Sequence, residues 1–140
     1  MVLVDTPVWS LALRRRAVDL SEDERLLTRA LYELVKQSQV QLLGATRQEV
    51  LSGIREDSQF RRIREHLGDF PNVALDAQDY EEAARISNMC RSAGVAGTPV
   101  DMLMCSVSLR HNWQIFTTDR DFVQYWRVVK IRLLEPKHLV

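Results

Sequence analysis

The sequence predicts a three-layer α/β/α domain with a mostly parallel sheet of about five strands. Three observations predict it. Short apolar, β-branched-rich runs alternate with helical patterns along the whole 140-residue chain. Several helical patterns open on capping signals: Ser21-x-x-Glu24, Thr46-x-x-Glu49 and Thr98-Pro99-x-Asp101. No linker, repeat or low-complexity tract interrupts the alternation, so residues 1–140 read as one domain.

The first strand is Val2-Leu3-Val4, a composition suited to burial on both faces and to the middle of a sheet. Asp5 falls where it ends. Pro7 fits the first position of a helix, with Asp5 or Thr6 as its cap, and the helix closes on Arg14-Arg15-Arg16. Ser21 opens the next helix, whose stripe of Leu27, Leu31, Leu34 and Val35 runs to about Ser38. Val40 to Gly44 reads as the second strand. Thr46 then caps a helix with Glu49 in its first turn. Asp57 restarts a helix that buries Phe60, Ile63 and Leu67 and turns Arg61, Arg62 and Arg64 mostly outward, until Gly68 to Pro71 breaks it.

Val73-Ala74-Leu75 predicts a third strand. Asp76 or Asp79 caps the helix that follows, and Gly94 stands at its end. Thr98, Pro99 and Asp101 are the cap, first and third positions of the next helix. Its residues Met102 to Leu109 are apolar nearly all round, which makes it the most central helix. Ile115 to Thr118 predicts a fourth strand, and Asp119 or Asp121 can cap a short last helix. Val128 to Leu134 predicts a fifth strand whose charge alternation suits a sheet edge.

Composition narrows the function. Net charge is zero, which argues against a protein held to nucleic acid by bulk positive charge. The basic residues are 16 Arg and only 3 Lys, so local, bidentate phosphate contacts remain open beside ordinary surface ion pairs. Arg120, between two acids, and Arg14 and Arg15 are the first candidates for substrate contact; Arg16, Arg61, Arg62 and Arg110 follow. Cys90 and Cys105 sit among apolar residues, without histidines at ligand spacing, and read as buried free thiols. Asp5 and Pro7 interrupt any signal-peptide core, and no apolar run suits a membrane span, so the expected setting is cytoplasmic with no membrane partner.

The acids carry the chemistry. Asp5 follows the first strand, Glu49 starts the helix after the second, Asp101 starts the central helix, and Asp119 and Asp121 follow the fourth strand. In a parallel sheet, strand-to-helix junctions share one edge. Each acid alone can be a helix cap. Together they repel: two unit charges about 4 Å apart cost ~1 kcal/mol in water and ~4 kcal/mol at an effective dielectric of 20. Such a cluster raises its pKa values or holds a cation. Oxygen donors without His or Cys suit Mg²⁺ or Mn²⁺, ions that also bind phosphate and support phosphodiester hydrolysis by water. Thr6 or Thr118 is placed to hold a water or a phosphate oxygen, or to act as a cap.

Four stretches resemble the PIN-domain ribonucleases, and most of all the VapC-type toxins of bacterial toxin–antitoxin pairs. They are Val2-Leu3-Val4-Asp5-Thr6 with Trp9 close behind, Gln48-Glu49-Val50-Leu51-Ser52-Gly53-Ile54-Arg55, Thr98-Pro99-Val100-Asp101-Met102-Leu103, and Phe116-Thr117-Thr118-Asp119-Arg120-Asp121-Phe122. Their order and spacing cover nearly the whole chain. The resemblance implies an endoribonuclease that uses Mg²⁺ or Mn²⁺. Asp5, Glu49, Asp101 and Asp119 match its acidic quartet, with Asp5, Asp101 and Asp119 as metal ligands and Glu49 acting through water. Asp121 matches a further acid, Thr6 the hydroxyl beside the first, and Trp9 and Phe122 structural positions. It also implies an RNA substrate, a small antitoxin partner and a homodimer. Other readings are a PIN-type nuclease of RNA processing or repair, a phosphoacceptor signalling domain, and a non-catalytic α/β module whose acids only cap helices.

Overall fold

The computed structural model describes residues 1–139. Strand β1 (Val2–Val4) leads into α1 (Thr6–Leu13) and α2 (Glu22–Lys36). Then come β2 (Val40–Gln41), α3 (Gly44–Leu51), α4 (Asp57–Leu67), α5 (Ala77–Ser92) and α6 (Pro99–His111). The chain closes with β3 (Gln114–Phe116), α7 (Asp121–Val128) and β4 (Arg132–Leu133). The sheet is four-stranded, in the order β2-β1-β3-β4, and every pairing is parallel. β1 is therefore inside the sheet and β4 at its edge, as expected.

The period-two alternation of the strands divides the core into two layers. Leu3 and Ile115 face α5, α6 and α7, packing with Ile86, Cys90, Met102, Cys105, Phe122 and Tyr125. Val2, Val4 and Phe116 face α1, α2 and α4, packing with Val8, Trp9, Leu31, Leu34, Ile63 and Leu67. This is the three-layer α/β/α arrangement. Each of the fully buried aliphatic side chains contributes roughly 1.5–3 kcal/mol. α6 buries seven consecutive residues, Met102 to Ser108, which explains its nearly continuous apolar character. Trp9 is structural: its indole N–H donates to the Val4 carbonyl at 3.1 Å, and its ring meets Phe70 edge-on. Phe122 is fully buried.

Four expectations are corrected. Val73 to Leu75 is no strand. Only Leu42 and Asn72 bridge, with the Val73 N–H on the Leu42 carbonyl at 2.9 Å. Pro71 offers no N–H on one side, and Asp76 turns the chain into α5 on the other. The expected fifth strand shrinks to two paired residues, because Phe122, Tyr125 and Val129 form a helical stripe that draws the chain into α7 as far as Val128. The cap at Thr46 does not form. Leu43 occupies the cap position of α3 without a side-chain bond, Thr46 is buried within the helix, and Glu49 lies in its second turn. Pro7 is the second residue of α1 rather than the first, with Asp5 as cap.

The capping boxes at Ser21/Glu24 and Asp76/Asp79 are complete. Gly94, at φ +77°, follows the end of α5 in the left-handed conformation that glycine reaches at little cost. No helix among the described residues is long and apolar enough to cross a membrane.

Candidate active site

Asp5 stands at the carboxyl end of β1, where its N–H still pairs with the Phe116 carbonyl at 2.9 Å. The side chain is only 5% exposed. Its Oδ1 accepts from the Thr6 N–H at 2.8 Å, as the cap of α1, and its Oδ2 accepts from the Thr117 hydroxyl at 2.7 Å. Thr117 also accepts from the Asp119 N–H at 3.0 Å. Thr6 donates its hydroxyl to Glu49 Oε1 at 2.9 Å, so the second turn of α3 is tied to the first turn of α1.

Asp101 reaches the same edge from the first turn of α6. Its N–H donates to the Thr98 hydroxyl at 3.1 Å. Its carboxylate does not return to close a capping box; Oδ2 accepts from the Tyr125 hydroxyl at 2.7 Å. Asp119 follows β3, and its Oδ1 accepts from the Asp121 N–H at 2.9 Å. One carboxylate oxygen from each of Asp101, Asp119 and Asp121 lies within 4.8 Å of the others. Asp5 and Glu49 stand beside this trio, near enough for their charges to act on it.

The electrostatics follow from burial and crowding. Burial is the largest influence on Asp5, with the charges of Asp101 and Glu49 added to it. Against the hydrogen bonds from Thr117 and Thr6, these raise its pKa from 3.8 to about 6. Asp101 is also raised, first by burial and then by Asp119 and Glu49, while Tyr125 and Thr98 oppose the shift. Burial, the bond to Asp101 and the nearby acids push the Tyr125 hydroxyl far up, so it stays a donor. Burial likewise keeps Cys105, one turn along α6 from Asp101, a neutral thiol.

The acidic residues expected from the sequence thus all reach one edge, where Asp101, Asp119 and Asp121 come closest together. Thr118 is exposed and makes no side-chain hydrogen bond among the described residues; the hydroxyl that organises the turn is its neighbour Thr117. Tyr125 is a second residue that sequence reasoning missed. Its signal was its position on the buried face of the last helix, where a tyrosine hydroxyl needs a polar partner.

The arginines separate into two groups. Arg110 holds Asp76 and the buried Asp79, at 3.0 and 2.8 Å, and Arg61 pairs with Asp57 at 3.1 Å. Both therefore have partners within the chain. Arg15 has a looser pairing, 3.7 Å from Glu24. Arg14, Arg16, Arg62 and Arg120 have no ion pair among the described residues, and Arg120 engages neither Asp119 nor Asp121. Arg14 and Arg15 line a cleft of about 620 Å³ that reaches Pro7 and Thr118, next to the acids.

A profile of the PIN domain matches residues 2–127. The chain belongs to the PIN domain family. PIN domains are in general nucleases, typically with divalent metals. Here the donor set fits such an ion: three carboxylates offer hard oxygen ligands, with no histidine or thiolate among them.

No curated protein sequence matches this PIN domain. Solved structures do. FitAcB from Neisseria gonorrhoeae matches with a TM-score of 0.76 and 19% identity, over 99% of this chain and 100% of that one. VapBC2 from Rickettsia felis, bound to a DNA fragment from its promoter, matches at 0.72 and 12%, over 96% and 98%. VapBC-1 from nontypeable Haemophilus influenzae matches at 0.68 and 14%, over 98% and 99%. At these identities the likeness is one of fold.

Proposed function

We propose that this PIN domain is a VapC-type toxin: an endoribonuclease dependent on Mg²⁺ or Mn²⁺ that acts in the cytoplasm as a homodimer and is silenced by a small cognate antitoxin. One observation carries the nuclease reading. Asp5, Glu49, Asp101, Asp119 and Asp121 come from four separate stretches of chain to one edge of the sheet, where burial and mutual repulsion raise Asp5 and Asp101. Carboxylates brought together in this way favour a bound cation. The antitoxin and toxin roles are supported by the fold neighbours, among them VapBC complexes.

In this reading Asp101 and Asp119, ligands in the sequence expectation, would hold the ion together with Asp121, whose carboxylate lies within 4.8 Å of theirs, and Asp5, the third expected ligand, would stand beside them. When bound, the ion would supply positive charge to make a water nucleophilic and to neutralise the leaving oxygen. Thr117 fixes Asp5 and the turn bearing Asp119 as one unit. Tyr125 fixes the orientation of Asp101. Glu49, held through Oε1 by Thr6, keeps Oε2 for a water and for its proton. Arg14 and Arg15, in the cleft that reaches Thr118, and Arg120, next to Asp119 in the chain, are the cations offered to the phosphates of the strand.

Induced expression in bacteria tests the role. Growth arrest with new RNA 5′ ends, both lost in Asp101→Ala, supports the toxin. Cleavage by the purified protein without growth arrest instead makes it a PIN nuclease of RNA processing or repair.

A further inference from the structure

The loop that delivers Asp101 forms a second basic pocket. α5 ends at Ser92, and six residues later Pro99 opens α6. The last turns of α5 and this loop enclose about 300 Å³, lined by Ser87, Arg91 and residues 94–97. Arg91 is exposed and pairs with no acid among the described residues. The backbone N–H groups of Ala96 and Gly97 donate to no acceptor among the described residues. Gly97 packs directly over the residue after Asp101: a Cβ there would meet Met102 Cε at 2.5 Å. Gly97 lies four residues before Asp101, so the pocket sits on the loop that leads into the acidic edge. A guanidinium beside free backbone N–H groups is a donor set for phosphate oxygens.

Its position gives it meaning. The Arg14–Arg15 cleft reaches Thr118, the residue before Asp119, and the Arg91 pocket lies on the α5–α6 loop, whose Gly97 is four residues before Asp101. Both therefore stand on chain segments that enter the carboxylate edge. A single strand that crosses that edge can engage Arg14 and Arg15 at one cleft and Arg91 at the other.

We propose that the pocket of Ser87, Arg91 and Gly97 receives a phosphodiester of the RNA strand on the α5/α6 side of the scissile bond. This rests on the ribonuclease reading and adds to it the path of the strand. Arg91 is a substrate-positioning residue, and nothing in the sequence pattern had singled it out.

The test is binding of an unstructured single-stranded RNA oligonucleotide, followed by anisotropy in Ca²⁺, with cleavage followed separately in Mg²⁺. Arg91→Gln should weaken binding about fivefold to tenfold. It should also lower the slope of log affinity against log salt by about 0.7, the value for one phosphate contact on a single strand. Arg85→Gln is the control, since Arg85 lies on the same helix but pairs with Glu82 and lies outside the pocket. It should change neither quantity. A series of oligonucleotides, each with one uncharged methylphosphonate, should weaken wild-type binding at one position flanking the cut. Arg91→Gln should be indifferent to that position. If the wild type binds and cleaves while Arg91→Gln matches it in affinity and slope, or stays sensitive at every methylphosphonate, the pocket is not a phosphate site and the nuclease reading stands. If the wild type neither binds nor cleaves RNA, both readings are overturned.

Discussion

The Thr117 hydroxyl joins Asp5 to Asp119: it donates to Asp5 Oδ2 at 2.7 Å and accepts from the Asp119 N–H at 3.0 Å. One side chain therefore sets the acid at the end of β1 against the turn that carries the acid after β3. Thr117→Val removes both bonds while keeping the β-branched shape. It is expected to cost about 1–3 kcal/mol in denaturant unfolding. It should also weaken Mn²⁺ binding by calorimetry. Thr118→Val, at an exposed position without a hydrogen bond, should change neither by a comparable amount.

Tyr125 acts through Asp101. Its ring is buried against Phe122, and its hydroxyl alone touches the site. Tyr125→Phe keeps the packing and frees the carboxylate to rotate. RNA cleavage should fall by about tenfold. Circular dichroism and melting should show the fold intact. Unchanged cleavage would remove Tyr125 from the site.

Asp5 makes the metal-free protein sensitive to pH. Its folded pKa of about 6 lies above the usual 3.8, so the folded state binds the proton more tightly than the unfolded chain. Stability from this group is full below pH 3.8 and is lost as pH rises through about 6, by up to about 3 kcal/mol. Asp101 shifts in the same direction. Asp5→Asn should therefore be more stable than the wild type in EDTA at about pH 8, with the difference shrinking towards about pH 4. A variant less stable than the wild type at the higher pH would contradict this account of the site. Added Mg²⁺ should stabilise the wild type and not the variant.

Arg110 serves stability. It pairs with Asp79, whose side chain is 1% exposed, so Arg110→Ala leaves that carboxylate buried without its cation. A lower midpoint in denaturant unfolding is expected, because the buried Asp79 carboxylate keeps its desolvation cost without its partner. The affinity of the folded variant for RNA should match the wild type.

Much of this was legible in the sequence. Val2-Leu3-Val4, the capping boxes at Ser21 and Asp76, and the apolar run from Met102 follow local rules of period and capping, and the structure keeps them. The five acids were legible because strand-to-helix junctions share one edge. What escaped depended on contacts between distant residues. Val73 to Leu75 has strand composition, but only one of its flanking residues finds a partner. Thr46 has the spacing of a cap, but the helix starts three residues earlier, capped at Leu43, and buries it. Thr117 and Thr118 are identical in type, and only the direction of the chain after β3 decides which one meets Asp5. Arg110 resembled the free arginines until the fold placed Asp79 opposite it.

The central claim is that these carboxylates hold a divalent ion for RNA hydrolysis. Its most direct test is cleavage of single-stranded RNA by the purified protein in Mg²⁺, compared with EDTA and with Asp101→Asn. The account predicts internal cleavage in Mg²⁺, none in EDTA, and none by a folded Asp101→Asn variant that has also lost Mn²⁺ binding. Cleavage that persists in EDTA, or in the variant at the wild-type rate, would contradict it.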